Sequence, residues 1–292
     1  MREISLMAYF SHGNLCRSVT NCFDGRREIA FAISLRPVAR SGKEISMVTM
    51  LFRCVRAELI KLKRSFIWIV FLILPILSTL MGCFNYLQNI DILTDGWYAL
   101  WTQATLFYSN FFFPPLIALY CAYLWRLENF NHNRNALMTS PIPISVLYSA
   151  QFLAVAVVVL LTQLYVGVLY VISGLAVGMQ GLPPAEIFYW LLRGSLGGLS
   201  IAALQLFLSS FIRSFAVPIA IALLAGVGGL AVVNTDYRMF YPYSLMLAGM
   251  NSNRSEDLLA GQMPVFYLSC AVFLVLFFTL GIGYLKKADV RA

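Results

Sequence analysis

Residues Phe66–Phe84 read FIWIVFLILPILSTLMGCF, nineteen positions without a charge. A helix of that length rises about 28 Å, close to the roughly 30 Å of hydrocarbon in a bilayer. Working outward, the same pattern recurs five times. Leu106–Trp125 ends at Arg126, Val146–Val177 is long enough to tilt, and Phe188–Phe211 and Phe215–Val233 are separated only by Ile212–Ser214. Pro264–Leu285 is stopped by Lys286 and Lys287. The sequence therefore predicts an all-α polytopic membrane protein with six spans.

Composition agrees. Of 292 residues, 60% are hydrophobic and 12% charged, and the mean hydropathy is +0.77. Soluble domains carry about twice that share of charge, which excludes a soluble enzyme and a disordered chain. Six cysteines without a CxxC pair and two histidines offer little to a metal or disulfide framework.

The few charges are sorted. Eleven bases (Arg53, Arg56, Lys61, Lys63, Arg64, Arg126, Arg134, Arg213, Lys286, Lys287, Arg291) fall on one side of the spans. The other side holds Arg238 and Arg254 against six acids, Asp91, Asp95, Glu186, Asp236, Glu256 and Asp257. Basic loops stay cytoplasmic, so both termini are expected there. The net charge of +8 is then a topology signal and calls for no nucleic-acid partner.

Residues 1–46 stand apart, with seven bases and four acids scattered without period. Their apolar run Ile29–Leu35 is too short for a signal-peptide core, and Cys16, Cys22 and His12 make a weak metal set. The segment is expected to be a disordered extension or an over-long translation ahead of Met47 and Met50. From 47 to 65, Leu51, Phe52, Val55 and Leu59 recur at helical spacing while Arg56 and other bases take another face. That reads as an amphipathic helix in the cytoplasmic interface, either a simple anchor or also a partner surface. Residues 66–292 form the membrane domain.

The cytoplasmic loop 126–143, RLENFNHNRNALMTSPIP, favours a short helix around Asn133–Met138 followed by a rigid turn. On the outer side, Asn85–Thr105 carries Asp91, Asp95, Trp97, Tyr98 and Trp101, readable as an interfacial aromatic belt or as a substrate-facing surface. The 234–263 segment, with Tyr241 and Tyr243, is long enough for short re-entrant helices. Arg193 is the ionisable residue inside a span. It is either functional, or snorkels or pairs with Glu186 two turns earlier. Pro75, Pro114-Pro115 and Pro218 are expected to kink helices, and Gly174/Gly178 and Gly194/Gly198 permit close packing. There is no GxxxxGK[ST], no HExxH and no TVGYG-type filter, so energy for active transport has to come from another subunit.

The stretch Phe84–Pro143, together with RCVRAELIKLKRSFIW (Arg53–Trp68), resembles the permease subunits of lantibiotic self-protection ABC transporters of the epidermin/mutacin immunity type, within the ABC-2 exporter superfamily. The resemblance runs from about 47 to 292. It implies a non-catalytic permease in the plasma membrane of a Gram-positive bacterium, dimerising with itself or a sister permease. ATP and Mg would bind a separate ATPase. It places the coupling role on Glu128, Asn133, Leu137, Met138 and Pro141, the interfacial helix on Leu51–Arg64, and the extracellular element on 234–263. Where many members carry a base after the coupling turn, this chain has Tyr148-Ser149-Ala150-Gln151. Candidate residues facing a peptide substrate are Asp91, Asp95, Trp97, Trp101, Arg193, Tyr241 and Tyr243. Export of another drug or of a lipid, and a non-transporting sensor or scaffold, are the alternatives.

Overall fold

The computed structural model describes residues 46–63, 65–129, 142–254 and 256–287. Among them there is no strand. Helix α1 (Met47–Leu62) precedes α2 (Ile67–Gln88). Helix α3 (Trp97–Phe107), a π-helical turn (Tyr108–Phe112) and α4 (Phe113–Asn129) run on as one element. Then come α5 (Ile144–Ala176), α6 (Ala185–Phe211), α7 (Ala216–Val233), a 3-10 turn (Asp236–Phe240), α8 (Pro242–Gly249) and α9 (Met263–Lys287). Six of these elements are long and apolar enough to cross a membrane: α2, α3–α4, α5, α6, α7 and α9. The chain is a multi-pass helical membrane protein.

Helix α6 sits at the centre, packed against α8, α9, α4 and α5. Helices α2, α7 and α9 bury only a minority of their side chains and turn residues such as Leu80, Leu224 and Leu268 outward. In water that coat would aggregate; in lipid it meets its own kind.

The second span starts at Trp97, nine residues before the expected Leu106. Thr102, Gln103 and Thr105 lower its apolar density, yet they do not break the helix. The Thr102 and Thr105 hydroxyls donate to the carbonyls of Ala99 and Trp101 within the same helix. The aromatic-belt reading of Trp97 and Trp101 is therefore corrected: both rings are buried in the core. Trp101 Nε1 donates to the Met250 carbonyl (2.9 Å), and the Tyr170 hydroxyl donates to the Trp97 carbonyl (2.7 Å). Gly174 makes room for this arrangement, since a Cβ there would lie 2.1 Å from the Trp97 ring. Its sequence partner Gly178 has φ +90° and faces open space, a turn residue rather than a packing one.

Pro114 and Pro115 explain the π-helical turn. Neither has an N–H to offer the carbonyl four residues back, and each ring crowds that carbonyl, so the helix widens by a residue just ahead of them. Gly226 of α7 lies against the bulge, where a Cβ would come within 2.6 Å of the Asn110 carbonyl oxygen.

The 234–263 segment does re-enter the fold, but as a wedge. All eight residues of α8 are buried, and the helix packs between α6 and α7. Tyr243 accepts from Gln205 Nε2 (2.5 Å), and the Tyr241 hydroxyl donates to the Ala225 carbonyl (2.8 Å). These tyrosines brace the bundle, Tyr243 buried and Tyr241 half-buried. Exposed aromatics of this segment are Tyr237 and Phe240 instead.

Candidate functional site

The basic end of the bundle is organised by α1. Its Cys54 side, with Leu51 and Val55 alongside, packs on Ile142, Val146 and Ala150 at the start of α5. Phe52 and Arg56 point away from the bundle, and Leu59 is half-buried. The expected amphipathic face is thus split between α5 and the surroundings. At the C-terminal end of α1, Lys61 Nζ contacts Glu58 Oε1 (2.7 Å) and Glu128 Oε1 (2.5 Å). Both carboxylates are buried. Glu128 therefore belongs to the last turn of α4 and faces inward, not outward from the 126–143 loop.

Helix α1 consequently grips both stems of that loop. One grip is ionic, through Glu128 at its entrance, and one is apolar, through Ile142 and Val146 at its exit. The loop candidates Asn133, Leu137, Met138 and Pro141 lie outside the described residues, as do Cys16, Cys22 and His12 of the 1–46 segment. Beside this grip the Arg126 guanidinium sits 5.1 Å above the Phe215 ring, tying the end of α4 to the start of α7.

Electrostatics makes the ionic grip unequal. Burial pushes the Glu58 carboxyl above its ordinary range; the Lys61 charge opposes that and Glu128 adds to it. Lys61 is desolvated too, but the two carboxylates overcome this and hold its ammonium charged well beyond the usual lysine range. Two acids thus share one cation in a low-dielectric pocket, an arrangement sensitive to removal of any member. Burial and Glu58 also raise the Cys54 thiol, leaving it an inert packing group.

At the acidic end, a cavity of about 550 Å³ opens between the α2–α3 turn, the end of α7, Ser252–Arg254 and Glu256. Asp95, Thr102, Gln103, Asn234, Arg254 and Glu256 supply its polar lining. Arg254 donates to Asn234 Oδ1, while no ion pair to Asp95 or Glu256 is present among the described residues. Asp91 is exposed nearby but does not line the cavity. Arg193 does not pair with Glu186, as the heptad-like spacing suggested. Its guanidinium is held by Asp257 through Nη1 (2.9 Å) and Nη2 (3.2 Å), and Glu186 instead accepts from the Tyr98 hydroxyl (3.1 Å). The outer loop simply delivers a carboxylate closer than one two turns away can reach. Among the described residues no three His, Cys, Asp or Glu side chains converge to hold a metal.

The described fold is thus a six-span bundle, a helix that contacts both stems of the 126–143 loop, and a buried wedge at the opposite end. The family model described as ABC-2 family transporter protein matches residues 54–229, more than half the chain. The chain belongs to the ABC-2 transporter family. The match begins inside α1 and ends in α7, so the loop grip and the central α6 both lie within the ABC-2 region. No curated protein matches the chain. Membership makes this ABC-2 protein the membrane component of an ABC exporter and implies a partner ABC ATPase.

The partnerships of Lys61 with Glu58 and Glu128, and of Arg193 with Asp257, are only partly visible in the sequence. The Glu58–Lys61 spacing of three residues is a visible helix pair, but nothing local reveals Glu128, 67 residues further on.

Proposed function

We propose that this ABC-2 permease, non-catalytic itself, expels lantibiotic-type antimicrobial peptides from the membrane, driven by a separate ATPase that carries the ATP and Mg. The basic end faces the cytoplasm in this reading, following the sorting of lysine and arginine. The observation that carries it is the double grip of α1 on the stems of the 126–143 loop. A push delivered to the loop tip by the ATPase reaches α1 through Lys61–Glu128 and reaches α5 through Ile142 and Val146. From there it passes to α6 and the wedge α8. Outer loops carrying six acids against two bases and a cavity with Asp95 and Glu256 at its wall attract the cationic face of such peptides.

Replacing Leu137 and Met138 together with aspartate tests the coupling. Resistance to a cationic lantibiotic should be lost and ATPase co-purification reduced, with the amount of permease in the membrane unchanged. Full resistance and normal co-purification in that variant would defeat the assignment. Co-purification of a second permease, or its absence, distinguishes a heterodimer from a homodimer.

A further inference from the structure

The cavity at the acidic end has two unlike surfaces. Ala99, Thr102, Val233, Leu247 and Ser252 line it and are themselves buried, whereas Asp95, Asn234, Arg254 and Glu256 line it and are exposed. The buried lining residues make its inner end and the exposed ones its mouth. Three of the five inner residues are apolar, and the two hydroxyls already have partners. Thr102 donates to the Ala99 carbonyl and accepts from Gln103 Nε2. Ser109 donates to the Thr105 carbonyl, which leaves Ser252 as the donor in the 2.8 Å contact between the two serines. A polar guest would have to break these bonds to gain new ones, so the inner end suits an apolar group.

The mouth is unbalanced. Asp95 and Glu256 have no cation among the described residues, and Arg254 donates to the neutral Asn234. Two carboxylates against one guanidinium favour a cation. The wall that carries Arg254 and Glu256 is set in place without a guest. Asn251, fully buried, donates through Nδ2 to the Arg254 carbonyl (3.2 Å) and accepts the Leu258 N–H on Oδ1 (2.9 Å). Asn251 and Asn253 take left-handed backbone, φ 50° and 57°, which asparagine tolerates better than most residues with a side chain. A preformed wall lowers the ordering cost of binding. At about 550 Å³ the space lies in the lower half of the range of small-ligand sites, about 300–1,000 Å³. It has room for a short segment, not for a folded peptide.

We propose that this cavity captures one lysine ammonium of the exported peptide together with a neighbouring apolar side chain. The apolar group enters against Ala99, Val233 and Leu247, and the ammonium stays at the mouth with Asp95 and Glu256. The inference rests on the cationic-peptide reading and narrows it: what is recognised is a short amphipathic segment, not net charge.

Full-length permease in lipid nanodiscs, titrated with the amides of N-acetyl-Leu-Lys, N-acetyl-Ser-Lys and N-acetyl-Leu-Glu and followed by saturation-transfer NMR against empty nanodiscs, tests this. The Leu-Lys compound should bind saturably, about five-fold or more tighter than either of the others. Asp95→Asn with Glu256→Gln should weaken it about five-fold or more, and Leu230→Trp, which narrows the cavity, should weaken it too. Arg254→Gln removes the opposing charge and should strengthen it about two-fold. Asp95, Arg254 and Glu256 are exposed, so these variants test the site without disturbing the core. Equal binding of the Ser-Lys and Leu-Lys compounds, tightest binding of Leu-Glu, or undiminished binding in the double variant would overturn the proposal. Loss of resistance on replacing Leu137 and Met138, with no selectivity among the three compounds, removes this site and leaves the export reading standing. Selective binding by a permease that confers no peptide resistance does the reverse.

Discussion

The two ends of the bundle are joined by opposite means. At the basic end, α1 reaches α4 through one lysine shared by two buried carboxylates. At the acidic end, the Trp101 ring meets Tyr170 edge-to-face and lies tilted beside Trp190, Trp101 donates to the Met250 carbonyl, and the Ser109 and Ser252 hydroxyls share a hydrogen bond. In a bilayer, packing gains little from the hydrophobic effect, because lipid is as apolar as the core. What the difference teaches is that the basic end has few, strong, re-partnerable ties suited to receiving a push. The acidic end has many short-range fits suited to holding a shape.

The contrast is most open to attack at Lys61. Lys61→Met strands two buried carboxylates and should cost about 3–5 kcal/mol, measured as thermal unfolding of the purified permease. Adding Glu58→Gln and Glu128→Gln to it should recover most of that stability without restoring export. A single Lys61→Met with wild-type stability would mean the cluster is not a tie. Trp101→Ala should cost less, about 2 kcal/mol, since only packing and one hydrogen bond are lost while the transfer term largely cancels. Should Trp101→Ala prove costlier than Lys61→Met, the proposed hierarchy of the two ends is reversed. Asp257→Asn weakens a pair that is one-third exposed on the carboxylate side and should cost about 1 kcal/mol.

The smallest effect is in pH. Because burial holds the Glu58 carboxyl above its ordinary 4.5, the fold binds that proton more tightly than the unfolded chain does. Its contribution is complete below 4.5 and is lost as pH rises through the raised value. Lys61, held above 10.5, contributes no change across that range. The melting temperature of the wild type should therefore fall more steeply as pH rises above 4.5 than that of Glu58→Gln. Parallel profiles would show Glu58 ionised in the fold at ordinary pH.

Much of this architecture is legible in the sequence, because a span must be apolar over a fixed length and five of the six are. The sixth begins early for a reason hydropathy scales do not weigh: Thr102, Thr105 and Ser109 hide their hydroxyls by donating to carbonyls three or four residues back. The Arg193 partner is not legible locally, because the nearest acid on the same helix is Glu186, whereas the actual partner comes from a loop 64 residues away. Glu58, Lys61 and Glu128 look like headgroup-facing charges one by one. Only the packing of α1 on the start of α5, which lets Lys61 reach the end of α4, brings them together, and no local period encodes a contact 67 residues apart.

The π-helical turn ahead of Pro114 also sets an angular phase. One residue of an α-helix spans about 100° of rotation, and the bulge inserts about one extra residue between the halves of the second span. Trp101 and Thr105 therefore point into the bundle above it, and Leu124 and Glu128 do so below it, on faces that a straight helix would set about 140° apart. Deleting one residue from Tyr108–Phe112 would leave the span intact in length and hydropathy. It would rotate Glu128 away from Lys61, so the tie between the loop and α1 depends on a bulge some 25 Å distant along the same helix.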